Sequence, residues 1–147
     1  MVSTEEGLMD SSSYIRALLA TFCWNEPHED ALNGFIGAGL VISNRVRAGW
    51  SGGDWLAVLK SAPLFSYRAL PLNPPPLTFG DIRNPIFQKI LQRVDTIFSG
   101  SELDFTKGAL YYARLNEITS KWFKIEILGH LDLHPRIADA GQLTFFK

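Results

Sequence analysis

The sequence predicts an α+β fold, mostly helical with a small antiparallel sheet. Up to about residue 100, apolar residues recur at helical spacing between recognisable caps. After Gly108 the texture changes to short aromatic, strand-like runs. The chain has 147 residues, 46% of them hydrophobic, which is enough for one buried core without disulfide or metal staples. Residues 1–12 read as a polar N-terminal segment and 13–147 as a single domain.

Ser11-Ser12-Ser13 marks a helix entry with Ser13 as N-cap, because its hydroxyl can accept from an orphan backbone N–H. Ile15, Leu18, Leu19, Phe22 and Cys23 then form one apolar face, and Pro27 ends the helix near Asn25 or Glu26. A second helix is expected from about Asp30 to Ala48, with Gly49 as its stop. Gly34, Gly37 and Gly39 inside it each cost about 1 kcal/mol relative to Ala, which predicts that another backbone packs closely there.

Ser51-Gly52-Gly53-Asp54 before Trp55-Leu56-Ala57-Val58-Leu59 reads as a capped short helix, with Asp54 favourable at its positive end. From Pro63 to Gly80 five prolines predict an extended, irregular loop. Asn84 and Pro85 open the next helix as N-cap and first residue; Ile86, Ile90, Val94 and Ile97 or Phe98 form its stripe and Gly100 ends it. Ala109–Arg114 and Gly141–Phe146 read as strands, while Trp122–Leu128 fits either helix or strand.

Fourteen basic against fifteen acidic residues leave a net charge of −1, which argues against a dedicated nucleic-acid binder. A single cysteine, Cys23, excludes an internal disulfide and a four-cysteine zinc site, and its core-facing position predicts an unreactive thiol. No apolar run reaches about 18 residues, so no membrane insertion is expected. The acidic, polar start predicts no secretory signal.

Glu26 is the first candidate for chemistry. It follows Trp24 at the end of an apolar helix, where burial beside aromatics raises a carboxyl's pKa. An acid still protonated near neutral pH can donate to a leaving sugar oxygen; the alternative is an exposed acid at a helix end. Phe65, Tyr67, Tyr111 and Tyr112 could stack on sugar rings or pack in the core. Ser66 could bond an acetamido group. His130-x-Asp132-x-His134 reads either as three metal ligands or as a polar loop closed by Pro135, and the second reading is taken: no metal and no cofactor is expected.

These residues carry a resemblance. Glu26, followed eighteen positions on by Asn44-Arg45-Val46, resembles the SleB-type cell-wall hydrolase family of spore-cortex-lytic and phage-borne enzymes. Phe65-Ser66 is similar to its Gln-Phe-Ser motif. Asp104-x-Thr106-x-Gly108-Ala109 with Tyr111 and Tyr112 is similar to its Asp-Pro-Thr-x-Gly-Ala-x-x-Tyr segment. Trp122 and the closing Gly141-x-x-x-Phe145-Phe146 also fit, so the resemblance runs from about Tyr14 to the C-terminus. The chain departs from the pattern where Pro27-His28-Glu29-Asp30 replaces Ala-Arg-Gly-Glu, Leu64 replaces glutamine, and Leu143 stands where many members have histidine.

The resemblance implies a lysozyme-like fold and cleavage of the peptidoglycan glycan strand by lytic transglycosylation, with Glu26 as the catalytic acid/base. It implies that Phe65, Ser66, Tyr67, Thr106, Tyr111 and Tyr112 line the substrate. Hydrolysis would need a second carboxylate, for which Glu29, Asp30, Asp54 and Asp104 are the candidates. A second reading is a structural or wall-binding component of a phage or phage-like particle, on the same fold and with weak or no catalysis. In either case the partners expected are glycan strands and, in a particle, other particle proteins. Synthesis in the bacterial cytoplasm is expected, followed by access to the wall through host lysis, a holin or packaging.

Overall fold

The computed structural model describes residues 4–27, 31–69 and 76–147, with side chains from Ser12 onward. Helices α1 (Thr4–Asn25), α2 (Leu32–Arg47), α3 (Trp55–Ser61), α4 (Phe79–Arg83) and α5 (Pro85–Ser99) come first. Strand β1 (Tyr111–Ala113), helix α6 (Lys121–Glu126) and strands β2 (Arg136–Ala140) and β3 (Leu143–Phe146) follow. The three strands are antiparallel in the order β1-β3-β2, so the fold is α+β as expected.

Helix α2 lies at the centre. Every residue from Gly34 to Arg45 is buried, so the helix is covered on all sides rather than along one stripe. On one side Ile36 and Leu40 pack with Leu19 and Cys23 of α1, Val58 of α3 and Ile90, Val94 and Ile97 of α5. On the other side Ala38 and Val41 pack with Tyr112, Phe123, Ile127, Phe145 and Phe146. Two glycines make this double burial feasible. A Cβ on Gly37 would sit 2.5 Å from Phe145 Cζ, and one on Gly39 would sit 2.7 Å from Cys23 Sγ. The close neighbours are thus side chains, not the second backbone that the glycines had suggested.

Strand β3 is the middle of the sheet, and all four of its residues are buried. Phe145 points at α2, while Phe146 meets Phe123 of α6 with ring centroids 5.9 Å apart. The ambiguous Trp122 segment is therefore helical: Ser120 caps it by accepting from Phe123 N at 3.1 Å, and Phe123 is its one buried residue.

Asp54 accepts from Ala57 N at 3.2 Å, and Asn84 accepts from Ile86 N at 2.8 Å with Pro85 at the first helical position. Helices α2 and α5 each end at a glycine in the left-handed region, Gly49 and Gly100. Helix α1, however, begins at Thr4 and not at Ser13. Ser12 and Ser13 lie inside it and accept from the Arg16 guanidinium, one turn on, at 3.3 and 3.5 Å. The proline-rich stretch is also less irregular than expected. A 3₁₀ turn spans Ala62–Phe65, and α4 opens with a reciprocal cap between Thr78 and Asp81. Pro71, Pro74 and Pro75 lie outside the described residues.

Gly37→Ala is expected to destabilise the fold by about 1–3 kcal/mol, because Phe145 is fully buried and its ring cannot yield without strain. Urea unfolding measures this as a lower midpoint with an unchanged slope. An unchanged or higher midpoint contradicts the packing described.

Candidate functional site

The end of α1, the end of α2, the turn after Phe65 and strand β1 converge on Glu26. Its amide continues α1 by donating to Phe22 O at 3.0 Å, and the residue is only 7% exposed. Tyr112, on β1, donates its hydroxyl to Glu26 Oε1 at 2.5 Å. Tyr67 donates to Pro27 O at 2.6 Å, and Arg68 Nη2 donates to Asn25 O at 3.3 Å and to Glu26 O at 2.5 Å. The chain around the acid is thus fixed through its backbone as well as its carboxyl.

Burial dominates the chemistry of this acid. Removal from water pushes the Glu26 carboxyl from 4.5 up to about 7, against the opposing pull of Tyr112, Arg45, Ser66 and Arg68. Ser66 is near enough to favour the charged form, yet among the described residues nothing makes a well-formed hydrogen bond to Oε2. Burial and the neighbouring acid also raise the Tyr112 phenol well above 10, so it keeps its proton and acts as a donor. Cys23 lies close by, and burial pushes its thiol up to about 12, so the inert reading of that residue holds.

The two residues that end α2 have different tasks. Asn44 Nδ2 donates to Ala109 O at 3.0 Å and to Thr106 Oγ1 at 3.3 Å, which fastens α2 to the turn before β1. Arg45 is 2% exposed and donates from Nε to Leu110 O at 2.8 Å. Its guanidinium lies 4.9 Å from the Trp50 ring centroid, 5.8 Å from Phe65 and 5.7 Å from Tyr111. Burial lowers its pKa and Glu26 raises it. Beside it, Trp50, Phe65, Trp122 and Tyr111 form a closed ring of aromatic neighbours, 5.0, 5.4, 6.2 and 5.6 Å apart in turn.

The expected substrate-lining residues therefore divide into two groups. Phe65 and Tyr111 are half-buried members of the aromatic ring. Tyr67 and Thr106 are fully buried and Tyr112 nearly so. For Tyr67 and Tyr112 the core-packing alternative is the one observed: Tyr112 holds the acid, Tyr67 holds the backbone next to it, and Thr106 ties a turn together. Ser66 is buried and accepts from Arg68 N at 3.3 Å.

The candidates for a second carboxylate also divide. Asp104 accepts from Thr106 N at 2.9 Å through Oδ1 and from Gly108 N at 2.8 Å through Oδ2, so both its oxygens shape the turn. Asp54 is an exposed helix cap. Glu29 and Asp30, with His28, lie outside the described residues. No group of three metal-ligating side chains comes together among the described residues, so His130, Asp132 and His134 do not converge. His134 instead packs edge-on against Tyr111 at 5.2 Å, with Nδ1 3.1 Å from Lys147 O. Among the described residues no helix is long and apolar enough to cross a membrane.

Sequence reasoning gave Arg45 and Trp122 only as parts of motifs and did not single out Asn25, Trp50 or Arg68. The order Arg45 then Trp50 at the end of one helix was the available signal for the first cation–aromatic contact; Arg68 and Asn25 carried none. Comparison with family models, with curated proteins and with solved structures found no match for this chain.

The raised pKa has a consequence for stability. Between pH 4.5 and about 7 the folded state keeps the Glu26 proton while the unfolded chain releases it, so stability falls as pH rises through that window. The full shift corresponds to about 3 kcal/mol. Glu26→Gln carries no charge to bury and can still accept from Tyr112. The variant is expected to match the wild type near pH 4 and to exceed it in melting temperature at pH 8. Parallel stability curves for the two proteins contradict the burial account.

Proposed function

We propose that this protein cleaves the β-1,4 bond between N-acetylmuramic acid and N-acetylglucosamine in peptidoglycan, as a lytic transglycosylase on a lysozyme-like fold. The observation that carries the reading is the Glu26 carboxyl, held by Tyr112 and pushed up to about 7 by burial. Such a group is protonated in a useful fraction at neutral pH and can act as a general acid. The half-buried faces of Phe65 and Tyr111, with Trp50 and Trp122, offer apolar surface for sugar rings.

The reaction follows from one carboxyl. Glu26 gives its proton to the glycosidic oxygen as the bond from the muramyl C1 breaks. The resulting carboxylate takes the proton of the muramyl C6 hydroxyl, and that oxygen attacks C1 to close a 1,6-anhydro ring. The nucleophile is held by the ring that bears it, so no water need be activated. The engagement of Asp54 and Asp104 elsewhere favours this route over hydrolysis.

Purified sacculi test the reading. Wild type is expected to release muropeptides at the anhydro mass, and Glu26→Gln to lose activity by about 10² to 10⁴ with its fold intact. Undiminished lysis by a folded Glu26→Gln protein refutes the role of Glu26. Hydrated, borohydride-reducible ends assign the chemistry to hydrolysis instead. Tight wall binding without any lysis by wild type favours a non-catalytic particle component.

A further inference from the structure

The Glu26 carboxyl is shut off from solvent: Tyr112 occupies Oε1, and Oε2 is sealed without a hydrogen-bond partner. A seam between two chain segments closes over this corner. On one side is the end of α1, residues 25–27; on the other is the irregular turn of residues 66–69. Across the seam Tyr67 donates to Pro27 O, and Arg68 Nη2 donates to Asn25 O and Glu26 O. Asn25 Nδ2 and Arg68 Nε are sealed there without partners, as Oε2 is. Unpaired buried polar groups are costly, and these regain water when the seam parts. The rest of the enclosure is held more firmly. Strand β1 is paired with β3 and fastened by Asn44 and Arg45. Tyr67 is fully buried and its carbonyl accepts from Thr119 N and Ser120 N at 3.0 and 3.1 Å, so the turn is anchored and the end of α1 is the side free to move.

We propose that this seam is a latch: residues 25–27 swing away from Tyr67 and Arg68 to uncover the Glu26 carboxyl, and loss of the Glu26 proton drives the opening. The latch is read from the seam; its purpose, giving a glycan strand access to the acid, rests on the proposed function. The titratable and charged groups around the carboxyl are Cys23 on α1, Arg45 on α2, Tyr67 and Arg68 on the turn and Tyr112 on β1. Burial pushes Cys23 and Tyr67 up to about 12 and Tyr112 well above 10, and an arginine keeps its charge. Among these groups Glu26, raised by burial to about 7, is the one whose charge changes between pH 5 and 8. Closed, the carboxyl keeps its proton up to about 7; open to water, it releases it from the ordinary 4.5. Opening therefore releases a proton in that window and becomes more favourable as pH rises. A strand lying in the open seam takes the place of water, which restores the desolvation that raises the acid.

The test is native-state amide hydrogen exchange followed by NMR, corrected for the intrinsic rate at each pH. The reporter is the Glu26 amide, which donates to Phe22 O; Leu40 and Val41 in the buried α2 report unfolding of the whole protein. The Glu26 amide is expected to exchange faster than both at every pH, and its protection to fall by about 70-fold from pH 5 to pH 8. In Glu26→Gln the protection at that position is expected not to vary with pH. Arg68→Met removes the Arg68 bonds across the seam and is expected to speed exchange of the Glu26 amide by about tenfold; where that variant fails to fold, the wild-type and Glu26→Gln series decide. Exchange at Glu26 no faster than at Leu40 and Val41 means that the end of α1 opens only with the whole fold, and it overturns the latch. So does pH-independent protection in the wild type, pH-dependent protection in Glu26→Gln, or unchanged exchange in folded Arg68→Met. These readings use no substrate. Local opening in a protein that leaves sacculi uncut sinks the proposed function while the latch stands, and cleavage without local opening does the reverse.

Discussion

Complete burial of α2 is the constraint on which the rest of the structure depends. A helix covered on all sides needs layers on both faces, and the chain supplies helices on one side and the sheet with α6 on the other. Its glycines set how near those layers come, with Phe145 and Cys23 occupying the space a methyl group would need. The polar end of the same helix, Asn44 and Arg45, then lies within the protein, where each must find partners. Asn44 finds them in the turn before β1 and Arg45 in Leu110 O and three aromatic rings. Fastening that turn places β1, and β1 places Tyr112 on Glu26.

Seen this way, the site follows from packing. Glu26 is excluded from water because it closes α1 against the same core, and its proton affinity rises for that reason. Tyr112 and the nearby cations moderate the rise without cancelling it. An acid poised near neutrality is what the proposed glycosidic protonation requires, and here it results from where a helix ends. The folded state gives up stability to hold that group, a common feature of sites built for chemistry.

Much of the helical framework was legible because its signals are local. Asp54, Asn84-Pro85 and Gly100 each act on backbone groups within a few residues, so the sequence pattern is the structure. The start of α1 was misread because a serine can cap a helix or lie on its exposed face, and Arg16 decides between them. Helix α4 was hidden because prolines dominated the stretch and its cap uses Asp81 where Glu or Gln is usual. At the site, Glu26 could be named from its apolar surroundings. The tasks of Tyr67, Arg68 and Tyr112 could not, since each depends on contacts made by chain segments distant in sequence. Asp104 was the reverse case: a carboxylate in an Asp-x-Thr-x-Gly turn binds its own backbone, and chemistry need not be invoked for it.

The measurement that bears most directly on this account is an NMR titration of the Glu26 side-chain carboxyl carbon in the folded protein. Burial against the core, opposed in part by Tyr112, Arg45, Ser66 and Arg68, calls for a midpoint of about 7. A midpoint at the ordinary glutamate value of about 4.3 would contradict it, because the carboxyl would then be solvated and charged at neutral pH.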